Sequence, residues 1–179
     1  MELAEMILDS FNQHTSRNQF LELAKELVRQ APKVVRGKLE ELYDHYSLFE
    51  LNDVVTKDSG SFYDVYKFNK HGFVIKVIKS DDCPKTYLHK CPSKESIIST
   101  FFLYPRLKNA NESIIVQDIV NTDRKKQDNA FQKICFTLND YLMPKGILLA
   151  DIWPDAHSGN VGTLKKKPVI IDFSHEFME

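Results

Sequence analysis

The sequence has no excess of either charge and no long apolar segment. Lys and Arg number 24 against 25 Asp and Glu, so the net charge is −1 and nothing suggests a basic surface for nucleic acid. No apolar run approaches the roughly 18 residues that a membrane helix needs, and the N-terminal MELAEMILDS has acids where a signal peptide has basic residues. We therefore expect no nucleic-acid partner, no membrane partner and a cytoplasmic location, in its own cell or in a host cell.

Cysteine is scarce and odd in number. Cys83, Cys91 and Cys135 form no paired framework, which favours a reducing compartment. Cys83, His89 and Cys91 could be imagined as zinc ligands, but a fourth ligand at a usual spacing is missing. We interpret the three cysteines as ordinary thiols.

The first 50 residues have helical periodicity, because apolar residues recur three and four positions apart. A first helix would carry Leu3, Met6, Ile7 and Phe11. In the second, Ser16 and Gln19 form a capping-box pattern, and Pro32 is expected to close the helix. A third runs from about residue 34 to 46. Each apolar stripe predicts packing on a neighbour, with a partner-binding groove as the alternative.

From about residue 51 the pattern favours strands, with a period of two. Segments 61–68 and 72–79 are rich in β-branched and aromatic residues and are separated by turn residues, which predicts a hairpin. We expect a helix over 93–104, a strand over 113–120, a polar linker over 121–129 and a helix over about 130–143. Short strands and loops, including ILLAD, VGTL and VIIDF, make up the remainder.

Two polar motifs lie near the end of the chain. Residues 155–160 read D-x-H-x-G-N, and Asp172 follows a β-branched stretch that would deliver its carboxylate from a rigid element. Asp155, Asn160 and Asp172 are spaced as if to hold a metal-bound phosphate. Taken alone, D-x-H-x-G-N could equally be a capped turn.

Lysine 76 lies inside an apolar predicted strand. Val74, Lys76 and Ile78 would face one way, so the ammonium would emerge from an apolar surface. A lysine in such a strand is costly unless it is paired, and Glu95 in the next predicted helix is the natural partner.

Upstream, the stretch 57–67 contains Gly60, Ser61 and Val65 between two predicted strands. Backbone amides can point at a phosphate from a loop with one glycine, although less closely than from a glycine-rich loop, and Asp58 adds a repulsive charge. A plain hairpin turn is the alternative.

Together these motifs resemble the protein kinase-like superfamily over about residues 51–174. D-x-H-x-G-N is similar to the catalytic loop of atypical and aminoglycoside phosphotransferase-like kinases, I-D-F at 171–173 to the D-F-G element, and Lys76 to the lysine of V-A-I-K. Trp153-Pro154 replaces the His-Arg of the typical loop. The resemblance implies an α+β kinase-like fold: a helical extension at 1–50, a small antiparallel lobe with one helix at 51–120 and a truncated, mainly helical lobe at 121–179.

The resemblance also implies ATP and Mg²⁺ as cofactors and a role for each residue. Lys76, oriented by Glu95, would hold the α- and β-phosphates; Gly60, Ser61, Val65 and Val74 would line the nucleotide site. Asn160 and Asp172 would bind magnesium, and Asp155 would orient the acceptor hydroxyl and take its proton.

Substrate recognition is the part that the motifs leave open. After Asp172 the sequence has no activation segment of the usual kinase type. We expect a minimal Mg-ATP-dependent kinase acting on a protein, with two alternatives: a kinase-like pseudoenzyme that inhibits or scaffolds a partner, and a small-molecule phosphotransferase.

Overall fold

The computed structural model describes residues 16–48 and 54–173, which form two compact units. The first contains the described residues up to Cys83 and the segment Pro105–Ile119. The second contains Pro84–Tyr104 and the described residues from Val120 onward. Residues 84–104 thus belong to the second unit, whereas the sequence suggested that they share a lobe with the sheet.

Two helices open the first unit. Helix α1 spans Arg17–Leu27, and its expected capping box is confirmed: the Gln19 backbone N–H donates to Ser16 Oγ at 3.2 Å, and the Ser16 N–H donates to Gln19 Oε1 at 2.8 Å. Helix α2 spans Pro32–Leu48. Pro32 therefore begins α2 instead of closing α1, because the first helical position needs no N–H. The helix expected around Leu3 lies outside the described residues.

Five strands of the first unit form one antiparallel sheet. They are β1 (Val55–Ser59), β2 (Tyr63–Phe68), β3 (Phe73–Ile78), β4 (Leu107–Lys108) and β5 (Ile114–Asp118), in the order β1-β2-β3-β5-β4. The hairpin expected from 61–68 and 72–79 is confirmed, as is the strand within 113–120. Gly72 closes the hairpin with a φ of 76°, a conformation that favours glycine.

The two helices pack on one face of this sheet. Phe73, Ile75 and Val77 of β3 join Phe20 of α1 and Leu39 of α2 in the same buried core. Since side chains alternate along a strand, Val74, Lys76 and Ile78 lie on the opposite face. The apolar stripes predicted packing on a neighbour, and for the two described helices that neighbour is the sheet.

The second unit is built around a long helix and a hairpin. Helix α3 spans Arg124–Leu142, a one-turn helix α4 spans Leu149–Ile152, and β6 (Val161–Leu164) pairs with β7 (Lys167–Ile170). Short 3₁₀ turns occupy Ile97–Thr100 and Ser158–Asn160, among others. The core consists of one face of α3 with residues from the hairpin and the flanking loops: Ile98, Phe102, Ala130, Ile134, Leu138, Leu142, Trp153, Val161, Ile170 and Phe173.

The helix expected over 93–104 is wrong. Only Ile97–Thr100 forms a 3₁₀ turn, and the hydroxyl of Ser96 accepts the Ile98 N–H while that of Ser99 donates to backbone carbonyls. Such local hydrogen bonds compete with an α-helix. Phe102 then forms a parallel bridge with Ile170, so this part of the chain extends β-pairing next to β7.

Two further expectations are corrected in the second unit. Most of the polar linker expected at 121–129 is the first part of α3, whose N-cap is Asp123, which accepts the Lys126 N–H at 3.3 Å. The segment is polar because it forms the exposed side of a helix. The segment ILLAD overlaps α4 and is no strand.

Candidate functional site

The D-x-H-x-G-N segment forms a loop that Asn160 holds together. Asn160 is 6% exposed, and its Nδ2 donates to the backbone carbonyl of Asp155 at 2.8 Å and to Asp155 Oδ2 at 3.1 Å. The side-chain amide oxygen, Oδ1, is the atom of this residue that can bind a cation. Asn160, whose spacing from Asp155 suggested a shared role, therefore closes the loop.

The backbone of Asn160 also fixes Asp172. Its carbonyl accepts the N–H groups of Ile171 and Asp172, at 2.8 and 3.3 Å. These bonds continue the β6–β7 hairpin, in which Val161 pairs with Ile170. The structure thus brings together the three residues that the sequence singled out in this unit, Asp155, Asn160 and Asp172.

The two carboxylates differ in exposure from the asparagine between them. The Asp155 side chain is 59% exposed and that of Asp172 is 34% exposed. Both carboxylates can therefore meet a ligand from solvent, whereas Asn160 acts mainly from within the loop. This combination provides oxygen ligands on a backbone that several hydrogen bonds restrain.

Histidine 157 lies beside the first carboxylate. The Gly159 N–H donates to His157 Nδ1 at 3.1 Å, so the ring proton is assigned to Nε2, which lies 3.6 Å from Asp155 Oδ1. A Cβ on Gly159 would come within 2.9 Å of the imidazole ring. A side chain at position 159 would therefore displace the His157 ring from its place beside Asp155.

Histidine 89 is a contact that sequence reasoning missed. Its Nε2 lies 3.0 Å from Asp172 Oδ1, and the Lys90 N–H donates to the Phe173 carbonyl at 3.2 Å. The sequence had suggested His89 only as a rejected zinc ligand. No local spacing could have indicated this contact, because His89 lies far upstream of the hairpin that ends at Asp172.

Tryptophan 153 anchors the beginning of the D-x-H-x-G-N loop. It is fully buried in the core of the second unit and lies edge-on to Phe131, with ring centroids 6.2 Å apart. Within the described part of the chain, its indole N–H has no hydrogen-bond partner. Apolar packing of the ring and the backbone bond from the Trp153 N–H to the Leu149 carbonyl, at 2.8 Å, therefore hold this end of the loop.

In the first unit, Lys76 lies on the central strand. It pairs in register with Val65 on β2 and with Ile115 on β5, and it is 6% exposed. Val74, on the same face, is also buried. The expected face of Val74, Lys76 and Ile78 is confirmed, because the helices pack against the other face of β3.

Gly60 and Ser61 lie at a tight hairpin turn. The Gly60 N–H donates to the Tyr63 carbonyl at 2.9 Å, so Ser61 and Phe62 are the two turn residues between β1 and β2. Asp58 lies 3.7 Å from Lys67 Nζ, which offsets part of its negative charge. The segment therefore forms a short hairpin turn, which is the alternative that the sequence analysis gave for this stretch.

Glu95 is exposed and does not lie on a helix. It precedes the Ile97–Thr100 turn in the second unit, whereas Lys76 belongs to the first. The Ser93 hydroxyl donates to its carboxylate, and this bond holds the pKa of Glu95 below the ordinary value. A pairing of Glu95 with Lys76 stays a prediction.

The donor atoms limit what the second unit can bind. Within residues 16–48 and 54–173, no group of three or more His, Cys, Asp or Glu side chains could hold a metal ion. A cation at Asp172 and Asn160 would therefore need further ligands from phosphate and water, which is how Mg²⁺ is commonly held. In the same described ranges, no helix is long and apolar enough to span a membrane.

Comparison with known proteins adds no family assignment. No family model, no curated protein and no solved structure matches this chain.

Proposed function

We propose that this chain is a minimal Mg-ATP-dependent kinase that transfers the γ-phosphate to a hydroxyl of a protein. The observation that carries the proposal is the arrangement around Asn160. Its side chain donates to Asp155 and its carbonyl accepts the backbone N–H of Asp172, so one residue is bonded to both aspartates that the proposal assigns, one to the acceptor hydroxyl and one to the metal.

The residues present fit a magnesium-bound nucleotide. The two carboxylates and the amide oxygen are hard oxygen donors, the type that Mg²⁺ prefers, and both carboxylates are accessible. When bound, Mg-ATP supplies the transferable phosphoryl group and the positive charge that neutralises its oxygens. A set of only two protein ligands suits this ion, because Mg²⁺ keeps several waters and phosphate oxygens in its shell.

Each side chain then has a defined task. Asp155 accepts the proton of the acceptor hydroxyl, and the Nε2–H of His157 faces its carboxylate and stabilises the negative charge before transfer. Asp172 and Asn160 hold the cation. On the sheet, Lys76 supplies a cation for the nucleotide phosphates from the apolar face that includes Val74 and Val65.

Nucleotide binding is the first test. We expect Mg-ATP to raise the melting temperature of the protein, and we expect Asp172→Ala to remove this shift. Asp128→Ala is the matched control, since Asp128 is an exposed carboxylate on α3 that belongs to neither motif. A shift that persists in Asp172→Ala, or no shift in the parent protein, would overturn the assignment of the metal site.

Phosphoryl transfer is the second test. Incubation with γ-labelled ATP and cell extract should label a protein, and Asp155→Ala should lower the labelling about 10²–10³-fold, as when one preorganised group is lost. The backbone carbonyl of Asp155 keeps its bond to Asn160 in this variant, so the loop is expected to stay closed. Equal labelling with both proteins would exclude the kinase proposal.

A kinase-like binding module that does not transfer phosphate is the second candidate. The tight turn at Ser61-Phe62 and the exposed position of Glu95 favour it, because both features weaken the expected grip on phosphate. This candidate predicts a Mg-ATP shift that depends on Asp172 and no transfer above the background of Asp155→Ala. The two experiments above therefore separate the candidates.

A further inference from the structure

One face of α3 is exposed and carries an unusual mixture of side chains. Lys133, Phe136, Asp140 and Met143 fall within one narrow arc of the helix and the turn that continues it, opposite the buried Ile134 and Leu138. We call these four residues the outer stripe. Phe136 is 74% exposed and Met143 is 71% exposed. The outer stripe is therefore an apolar strip with one basic and one acidic residue.

Exposed apolar side chains concentrate around this strip. Within residues 16–48 and 54–173, eight large apolar residues are exposed, and five of them lie in the short segment 136–148: Phe136, Tyr141, Met143, Ile147 and Leu148. The two apolar members of the outer stripe, Phe136 and Met143, correspond to about one and a half fully exposed side chains, or roughly 300 Å² at about 200 Å² each. A patch of this size lies at the lower end of the range of about 300–600 Å² for the largest apolar patch on a monomer.

We propose that the outer stripe binds a second copy of this chain, with the two α3 helices antiparallel. Lys133 and Asp140 lie on either side of Phe136, at nearly equal distances along the helix. A two-fold axis near Phe136 therefore places each Lys133 opposite Asp140 of the second copy and brings the two phenylalanine rings together. Self-complementarity of this kind is what a two-fold interface requires.

The available area also suits a symmetric dimer. A stable interface buries about 800 Å² per partner. Phe136 and Met143 supply roughly 300 Å² of this, and the exposed residues around them, including Lys133 and Asp140, supply the rest. Charge pairs at such a rim set orientation more than affinity, so Phe136 is expected to dominate the binding free energy.

Sedimentation of the full chain tests the apolar part of the proposal. Between about 1 and 100 µM the parent protein should shift from monomer to dimer, and Phe136→Asp should raise the dissociation constant at least about tenfold. Leu48→Asp is the control, because Leu48 is 81% exposed but lies at the end of α2 in the other unit. A parent protein that stays monomeric, or equal effects of both substitutions, would overturn the proposal.

Charge reversal tests the orientation. Lys133→Glu and Asp140→Lys should each weaken the dimer, because each places like charges opposite one another at two symmetric positions. The double variant should restore the parent dissociation constant to within about threefold, since the interface would again be complementary. Circular dichroism and melting temperature check that every variant folds. If the double variant is as weak as the single ones, the antiparallel arrangement is wrong.

Discussion

The side-chain amide of Asn160 donates to Asp155 twice, at the backbone carbonyl and at the carboxylate. We predict that Asn160→Ala lowers the free energy of unfolding by about 1–3 kcal/mol, because a buried residue loses two hydrogen bonds. Asp155→Ala removes only the bond at the exposed carboxylate and should cost less than about 1 kcal/mol. Urea denaturation measures both values. Equal losses would show that the backbone bond does not hold the loop.

The Glu40–Lys57 pair joins α2 to the sheet and should make stability depend on pH. Burial alone would raise the pKa of Glu40, but hydrogen bonds from Lys57 at 2.7 Å and from Tyr66 at 2.6 Å outweigh it, and the pKa is lowered. The stabilisation is therefore present above the ordinary glutamate pKa of about 4.3 and is lost as the pH falls through the lowered value.

Substitution of Lys57 tests this linkage. Lys57→Met should cost at most about 1 kcal/mol at neutral pH, because both side chains of the pair are partly exposed. It should also flatten the loss of stability between about pH 5 and pH 3. Urea midpoints at several pH values measure the slope. Parallel pH profiles for the parent and the variant would contradict the linkage.

The turn between β6 and β7 is strained. Lys165 and Lys166 have φ values of 50° and 67°, in the left-handed region, where a residue with a side chain costs about 1–2 kcal/mol. Replacing the pair by Asn-Gly, the preferred residues of such a turn, should raise the free energy of unfolding by about 1–2 kcal/mol. Lys167→Asn, which removes a charge in β7, is the control. If Lys167→Asn raises the free energy of unfolding by the same amount, the loss of positive charge, and not the turn conformation, causes the effect.

Two glycines should respond in opposite ways to alanine. A Cβ at Gly162 would meet Val120 Cγ2 at 2.6 Å and the Asn121 carbonyl at 3.0 Å, so Gly162→Ala should destabilise the second unit by about 1–3 kcal/mol. Gly37 lies in α2 with nothing within 4 Å of the added atom, and Gly37→Ala should stabilise it by about 0.5–1 kcal/mol. Thermal unfolding distinguishes the two. Destabilisation by Gly37→Ala would mean that α2 has a packing partner at that position.

Local signals explain which elements the sequence predicts correctly. The capping box at Ser16 and the hairpin of β2 and β3 depend on residues a few positions apart, and both are confirmed. Asp155, Asn160 and Asp172 also lie near one another. One short hairpin, β6–β7, brings the end of the D-x-H-x-G-N motif next to Asp172. The kinase-like relationship stays a proposal.

Elements that depend on distant contacts are predicted less well. The segment 93–104 has helical periodicity, but Phe102 pairs with Ile170 and the serine hydroxyls satisfy nearby backbone groups, so a helix does not form. The polar start of α3 resembles a linker because its buried contacts, such as that of Gln127 with the Val161 carbonyl, come from another element.

The sequence by itself therefore determined helices α1 and α2, the hairpin around Gly72 and the spacing of the acidic motifs, since each is set by neighbouring residues. Only the tertiary structure decided that His89 reaches Asp172, that α1 and α2 support the sheet, and that Glu95 lies in an exposed turn. These outcomes depend on contacts between residues that are far apart in the chain and compete for the same apolar surface and the same hydrogen bonds. The spacing of residues in the sequence does not show which of them make those contacts.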